Sequence, residues 1–334
     1  MDMQWDIICG AVQGVGHAKQ ELPCQDKTAV VDTGDCHVMA LADGAGSARL
    51  SHAGAECVTQ TLCHHLSREF ERLYATNNAA IVRAELEELV RGKLQELAVE
   101  LNCRLQDLGS TLLLAAIKGE HYILLHLGDG IIAYRKNGNL RIASAPVNGE
   151  YANSTVFTSS EHAFESMKLI KGKLGGIDGF VLMSDGSCAS LYDKTQAEAA
   201  PVLGWLMDLC TYIPAKEVEE GLTESMEEVK AMTDDDCSIA IMCRRKESFS
   251  GISTLPMEIL LRLTGLPSCE ASSRHRLKVY LSILSALTEP TRLSSIVSVV
   301  HQKGSRLLKK VSQLMQLHLI KRLADGRYVS LARL

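Results

Sequence analysis

Acidic residues stand at the ends of apolar runs at five places in the chain: Asp26 in CQDKTAVV, Asp43 in ALADGAGS, Asp129 in HLGDGII, Asp185 in VLMSDGS, and Asp234, Asp235 and Asp236 in TDDDCSIAIM. Asp43, Asp129 and Asp185 are each followed at once by glycine. A solvated turn accounts for any one Asp-Gly pair. It does not account for five acidic sites of the same design. Carboxylates gathered at one end of a set of strands repel one another unless a positive charge lies among them. Hard divalent cations with oxygen ligands fill that role and keep several waters. Two such ions, about 4 Å apart, generate hydroxide from water and clamp a phosphoryl group for in-line displacement. Gly44 supports the same chemistry, since a residue without Cβ lets a backbone carbonyl approach an ion closely.

These residues need a scaffold that brings them to one end. WDIICGAVQG and TAVVDTGDCHVMALAD alternate apolar runs with Gly and Asp, which predicts strands and turns. From Ser51 the period changes: Ala55, Val58, Leu62, Leu66, Phe70 and Leu73 predict an amphipathic helix over 51–73, with Ser51 as its N-cap. A second helix is predicted over 79–107 from Val82, Leu86, Val90, Leu94, Leu97, Leu101 and Leu105. Two such helices must cover something flat and apolar. The segment STLLLAAIKGEHYILLHLGDGIIAYRKNGNLRIASA supplies it as four strands. Turns as short as these, Gly128-Asp129-Gly130 included, predict antiparallel neighbours throughout. TLLLAAI and YILLHL are apolar nearly throughout, as strands covered on both faces would be. GFVLM and CSIAIMCRR predict two further buried strands, with a mostly helical stretch at 187–233 between them.

The charge divides the chain. The net −5 conceals a C-terminal segment, 271–334, with twelve Lys and Arg against Glu289 and Asp325, so that +10 there faces −15 in residues 1–270. Opposite signs predict two domains with different roles. Residues 1–248 form the first, 249–273 a linker with a short helix, and 274–334 a basic module. Helices at 276–288, 293–302 and 305–320, then two short strands about an Asp-Gly turn, spell the winged form of helix-turn-helix. Composition excludes other classes. A 46% hydrophobic, 22% charged chain is globular. No apolar stretch approaches the ~20 residues of a membrane span, and the N-terminal residues lack a basic region before their apolar ones. Eleven cysteines without a CxxC pair predict buried thiols in a reducing cytoplasm, and Cys57, Cys63, His64 and His65 are core and rim positions of a helix.

Five ordered motifs over residues 7–245 resemble the metal-dependent (type 2C) serine/threonine protein phosphatases. They are CQD at 24–26, ALADGAGS at 40–47, GSTLLLAAI at 109–117, HLGDGIIAYR at 126–135, and the pair GFVLMSDG and DDCSIAIM. The wording of DGAGSA and NGEYANST is similar to a bacterial subgroup. The resemblance implies an α+β fold, a four-layer α-β-β-α sandwich of two antiparallel sheets. It implies Mg²⁺ or Mn²⁺ as cofactor, two ions with an auxiliary site for a third metal or a water, and hydrolysis of phosphoserine or phosphothreonine by a bridging hydroxide. Asp43 would bridge both ions, with the Gly44 carbonyl on the second. Asp185 and Asp235 would hold the first, Asp236 replacing Asp235 if the match slips by one residue. Asp26 would act through water, and Asp129 at an auxiliary site. A phosphorylated protein and an opposing serine/threonine kinase are the implied partners.

Three positions depart from the family pattern. Gln25 stands where Glu is frequent, Ala45 where some members have a His proposed as general acid, and Glu21 where the family has its phosphate-binding Arg. His17 or Lys19 is the substitute source of positive charge. Two rivals stand beside an active phosphatase: a catalytically silent sensor of phosphorylated partners, and a DNA-binding regulator. In the basic module, Arg306, Lys309, Lys310, Lys321 and Arg322 are the candidate contacts for DNA or an acidic protein. A simple packed helical module with solvated Lys and Arg is the bland alternative.

Overall fold

The computed structural model describes residues 5–146, 155–212, 215–230, 233–244, 255, 257–267, 271–297, 299–301, 304–317 and 319–332. NGEYANST, apart from Thr155, and most of the expected linker segment 249–256 lie outside the described residues. The chain divides into two compact units: Met1–Gly204 with Leu222–Arg244, and Trp205–Gly221 with Arg245–Leu334.

In the first unit the order is β1 (Trp5–Val12), α1 (Val15–Lys19), β2 (Lys27–Asp32), β3 (Cys36–Ala42), α2 (Ser51–Ala75) and α3 (Ala79–Glu100). Then come β4 (Leu112–Lys118), β5 (His121–Leu127), β6 (Ile131–Lys136), β7 (Asn139–Ser144), β8 (Lys168–Lys173) and β9 (Ile177–Met183). After these run α4 (Asp185–Leu191), a small pair β10 (Tyr192–Asp193) and β11 (Glu198–Ala199), α5 (Pro201–Tyr212) and α6 (Ala215–Lys230), of which Trp205–Gly221 belongs to the second unit, and β12 (Cys237–Arg244). Two antiparallel five-stranded sheets result, β2-β3-β4-β5-β8 and β1-β12-β9-β6-β7.

Strand alternation explains the continuous apolar runs. Met39, Leu41, Leu113 and Ala115 face the second sheet, meeting Phe180, Leu182, Ala240 and Met242. Their neighbours Val38, Ala40, Leu112 and Leu114 point the other way, onto Val58, Leu62, Leu66 and Phe70 of α2 and Val82, Leu86 and Val90 of α3. The outer face of the second sheet is buried too, at Ile8, Val181, Ile239 and Ile241. A Cβ on Gly10 there would lie 2.8 Å from the Met226 sulfur of α6.

Several local expectations change. The second helix stops at Glu100, because Asn102 adopts a left-handed conformation (φ 48°) and the Cys103 N–H turns back to the Ala98 carbonyl; 105–108 is a separate 3₁₀ turn. Leu50, not Ser51, is the N-cap of α2, and Ser51 is buried in its first turn. The Gly128-Asp129-Gly130 segment does not join neighbours: β5 and β6 lie in different sheets. Gly128 takes φ +110°, and a Cβ on it would strike Thr111 at 2.6 Å, so the crossover requires glycine. The Asn137-Gly138 turn, by contrast, is a true hairpin with both residues at positive φ. Edge strand β8 carries three lysines in KLIKGK and gave no clear strand pattern.

The second unit contains α7 (Met257–Leu263), α8 (Ala271–Ala286), α9 (Leu293–Ile296), α10 (Gly304–Gln316) and a hairpin of β13 (Ile320–Arg322) and β14 (Tyr328–Ser330). The helix expected over 293–302 is regular only to Ile296, and the one expected over 305–320 ends at Gln316, where Ile320 already opens a strand. Leu277, Tyr280, Ile283, Leu284, Ile296, Leu307, Val311 and Leu314 are buried. The Tyr280 hydroxyl donates to Gln313 Oε1 at 2.6 Å. Among the described residues no helix is long and apolar enough to cross a membrane.

The tightest packing point of the first unit is Gly54 on α2, where a Cβ would lie 1.9 Å from the Leu108 carbonyl oxygen. Gly54→Ala is therefore expected to cost about 1–3 kcal/mol, despite alanine's better helix propensity. Chemical denaturation of the two proteins checks this.

Candidate metal centre

Register brings the acids together. Lys27 pairs with Ala42, so Asp26 and Asp43 leave β2 and β3 side by side. Met183 pairs with both Ile131 and Ile239, which sets Asp185, Asp129 and the 234–236 loop at the same end of the second sheet. Single carboxylate oxygens of Asp43, Asp129 and Asp185 lie within 4.8 Å of one another. Asp26 is buried beneath them at 2% exposure.

Each acid is held by local structure. The Asp43 N–H donates to Thr111 Oγ1 at 2.9 Å, and the Thr111 N–H donates to the Asp43 carbonyl at 2.8 Å. The Thr155 hydroxyl donates to Asp129 Oδ2 at 2.7 Å. Asp185 is the first residue of α4 and accepts the Gly186 N–H at 2.7 Å. Asp235 accepts the Asp236 N–H at 2.9 Å. Gly44 has a steric role: a Cβ there would lie 2.8 Å from the Ser51 side chain and 3.0 Å from Gln25 Cβ.

Asp235 and Asp236 differ sharply. Asp236 is 1% exposed, and its two oxygens accept the N–H groups of Gly14 at 2.6 Å and Gln25 at 2.5 Å. His17 Nδ1 lies 3.0 Å from Asp236 Oδ2, and Nε2 lies 3.8 Å from Asp235 Oδ1. Asp236 therefore clamps the α1 loop and the Cys24–Asp26 segment to the start of β12, and the imidazole of His17 is turned onto that clamp. Asp235 is half-exposed. Lys19 is exposed in the last turn of α1. Glu21, beside it, is exposed with a left-handed backbone. The Ala45 N–H donates to the Gly109 carbonyl at 2.9 Å.

The electrostatics are those of uncompensated negative charge. Burial, then the charges of Asp26 and Asp185, holds the Asp43 carboxyl well above the usual range. Burial and Asp185 also raise Asp235. Burial raises Asp129, the Thr155 hydroxyl opposing it. Burial pushes Asp26 up to about 7, against the pull of the Ser238 and Ser184 hydroxyls. Among the described residues no Lys or Arg pairs with Asp26, Asp43, Asp129 or Asp185. Both carboxylate oxygens of Asp26, with Gln25 Oε1, are buried without a well-formed hydrogen bond to a described residue. Oxygen donors alone, crowded and unneutralised, fit hard divalent cations that retain waters. Thr111, Thr155 and Ser184 support the site and were not singled out from sequence, where a hydroxyl beside an apolar run carries no signal; Ser238 entered the sequence reading only as the match that sets Asp235 on the ligand position. Arg306, Lys309, Lys321 and Arg322 are exposed and Lys310 half-buried in the second unit.

The family model for protein phosphatase 2C matches residues 13–227. Serine/threonine-protein phosphatase 3 of Escherichia coli (strain K12) is 25% identical over 178 residues, 50% of this chain and 67% of the relative. A solved bacterial serine phosphatase, 15% identical, covers 74% of this chain and 100% of its own, with a TM-score of 0.50. The serine/threonine phosphatase Stp1 of Staphylococcus aureus, also 15% identical, covers 72% and 95%, with a TM-score of 0.48.

Carboxyls held above their ordinary values bind more protons folded than unfolded. Without metal, stability therefore falls as pH rises from about 4 to about 7. Asp26→Asn is expected to raise metal-free stability at about pH 8 by roughly 2–4 kcal/mol and to leave it little changed at about pH 4. The same substitution reduces the stabilisation given by added Mn²⁺. Denaturation midpoints at the two pH values, with and without Mn²⁺, check both statements.

Proposed function

The chain belongs to the protein phosphatase 2C family, and from that premise we propose that it is a metal-dependent serine/threonine protein phosphatase acting on phosphorylated proteins in opposition to a kinase. The observation that carries this reading is the convergence of Asp43, Asp129 and Asp185 from three remote segments, with no Lys or Arg ion-paired to them among the described residues. Asp43 and the Gly44 carbonyl, with Asp185 and Asp235, would hold two Mg²⁺ or Mn²⁺ ions; Asp26 would act through water and Asp129 at a further site. Bound there, the pair would supply a nucleophile from water and neutralise charge on the phosphoryl oxygens.

The chain's own residues do the rest. Thr111 fixes the backbone of Asp43, and Thr155 orients Asp129. Asp236 and His17 hold the loops that carry Asp26 and Asp235, which makes them positioning residues in this reading. Ala45 has no ionisable group, so the proton for the departing serine or threonine oxygen comes from water or another residue. The retained carboxylates argue against a silent sensor. We read the whole as a four-layer phosphatase domain over residues 1–248 and a winged-helix-like targeting module over 274–334.

Phosphate release from a phosphothreonine peptide tests the reading. Turnover with Mn²⁺ is expected to vanish with EDTA and to fall at least about 10³-fold in Asp43→Asn and in Asp185→Asn. No release from the wild-type chain at any Mn²⁺ or Mg²⁺ concentration leaves the silent sensor instead.

A further inference from the structure

The C-terminal unit has features that phosphate hydrolysis does not use. Thr291 exchanges two hydrogen bonds with Tyr328, both 2.9 Å, so a short bridge joins the segment before α9 to the β13–β14 hairpin. The chain order is then helix, bridge, short helix, longer helix and hairpin. Such a unit presents its last helix and hairpin together.

Charge and burial are sorted on these elements. On α10, Leu307, Val311 and Leu314 are buried, while Arg306, Lys309 and Ser312 are exposed. On the hairpin, Lys321 and Arg322 are exposed, with Arg322 lying 5.9 Å from the centre of the Tyr328 ring. No carboxylate occurs in α8 or anywhere from 290 to 324. The hairpin's own acid, Asp325, is taken by Arg327, whose Nε donates to it at 2.7 Å. Like charges crowd: burial lowers the Lys310 ammonium, and the nearby Arg306 and Arg276 lower it further. With Arg306 and Lys309 exposed on α10 and Arg322 on the hairpin, the unit offers positive charge to a polyanion of fixed charge spacing.

We propose that this unit binds duplex DNA, with α10 entering the major groove and the β13–β14 hairpin against the flanking backbone. Thirteen residues give α10 a length of about 20 Å and a width that the major groove admits. Arg306, Lys309, Lys310, Lys321 and Arg322 contact phosphates. Leu308, 51% exposed among the cations, offers apolar contact to a thymine methyl. This inference does not depend on the phosphatase reading.

Fluorescence anisotropy of the full chain with a labelled 30-base-pair duplex of mixed sequence tests it. Four to five phosphate contacts predict an affinity that drops about 100- to 500-fold between roughly 50 and 200 mM salt. Arg306→Gln/Lys309→Gln is expected to weaken binding about 10-fold or more, with an unchanged melting temperature, while Lys93→Gln on α3 leaves it unaltered. Absence of binding at about 50 mM salt overturns the proposal. So does equal or tighter binding of a labelled polyglutamate peptide or of single-stranded RNA, which would make the surface a protein-docking or general anion site.

Discussion

Negative charge that cannot escape is the constraint around which the first unit is organised. The backbones of Asp43 and Asp26 are placed by β-sheet register, and that of Asp185 by the junction of β9 and α4, so their Cα atoms cannot move apart without breaking backbone hydrogen bonds. The carboxyls of Asp43 and Asp26 respond by resisting ionisation. An arrangement this unfavourable alone becomes favourable when a cation shares the space, since each ligand's repulsion turns into attraction. The energy for holding it comes from elsewhere, from the two layers of aliphatic side chains that flank the first sheet.

The clamp at Asp236 illustrates how such a site is kept in register. One carboxylate accepts N–H groups from residues more than 200 positions away in the chain, so the N-terminal loop and the last strand act as one piece. Hydrogen bonds to an ionised acceptor are stronger than neutral ones, and at 1% exposure water does not compete for them. His17, which sequence reasoning offered as a source of positive charge for phosphate, has its ring against this carboxylate.

The carboxylate residues were legible because Asp at the end of an apolar run is a local pattern, and the order of five such patterns is specific. The two-faced burial of β4 and β5 and the stripes of α2 and α3 were legible for the same reason: period reports which faces are covered. What escaped was whatever depends on a partner far off in the chain. Gly128-Asp129-Gly130 looks like a hairpin turn in isolation, whereas β5 and β6 belong to different sheets and Gly128 passes too close to Thr111 for a side chain. Strand β8 is an edge strand paired to β5 on one side, which tolerates lysines that a central strand would not. The serine and threonine hydroxyls that steady the acids have no periodicity at all.

The pairing of β1 with β12 has a temporal side. Every strand of the first sheet lies between residues 27 and 173, so that slab and its helices can assemble while the ribosome is still at work. Trp5 to Val12, made before that slab, must wait for Cys237 to Arg244 before gaining a strand partner. Closing so long a loop is slow compared with local pairing. A nascent chain therefore carries a paired first sheet and an unfinished centre until β12 emerges.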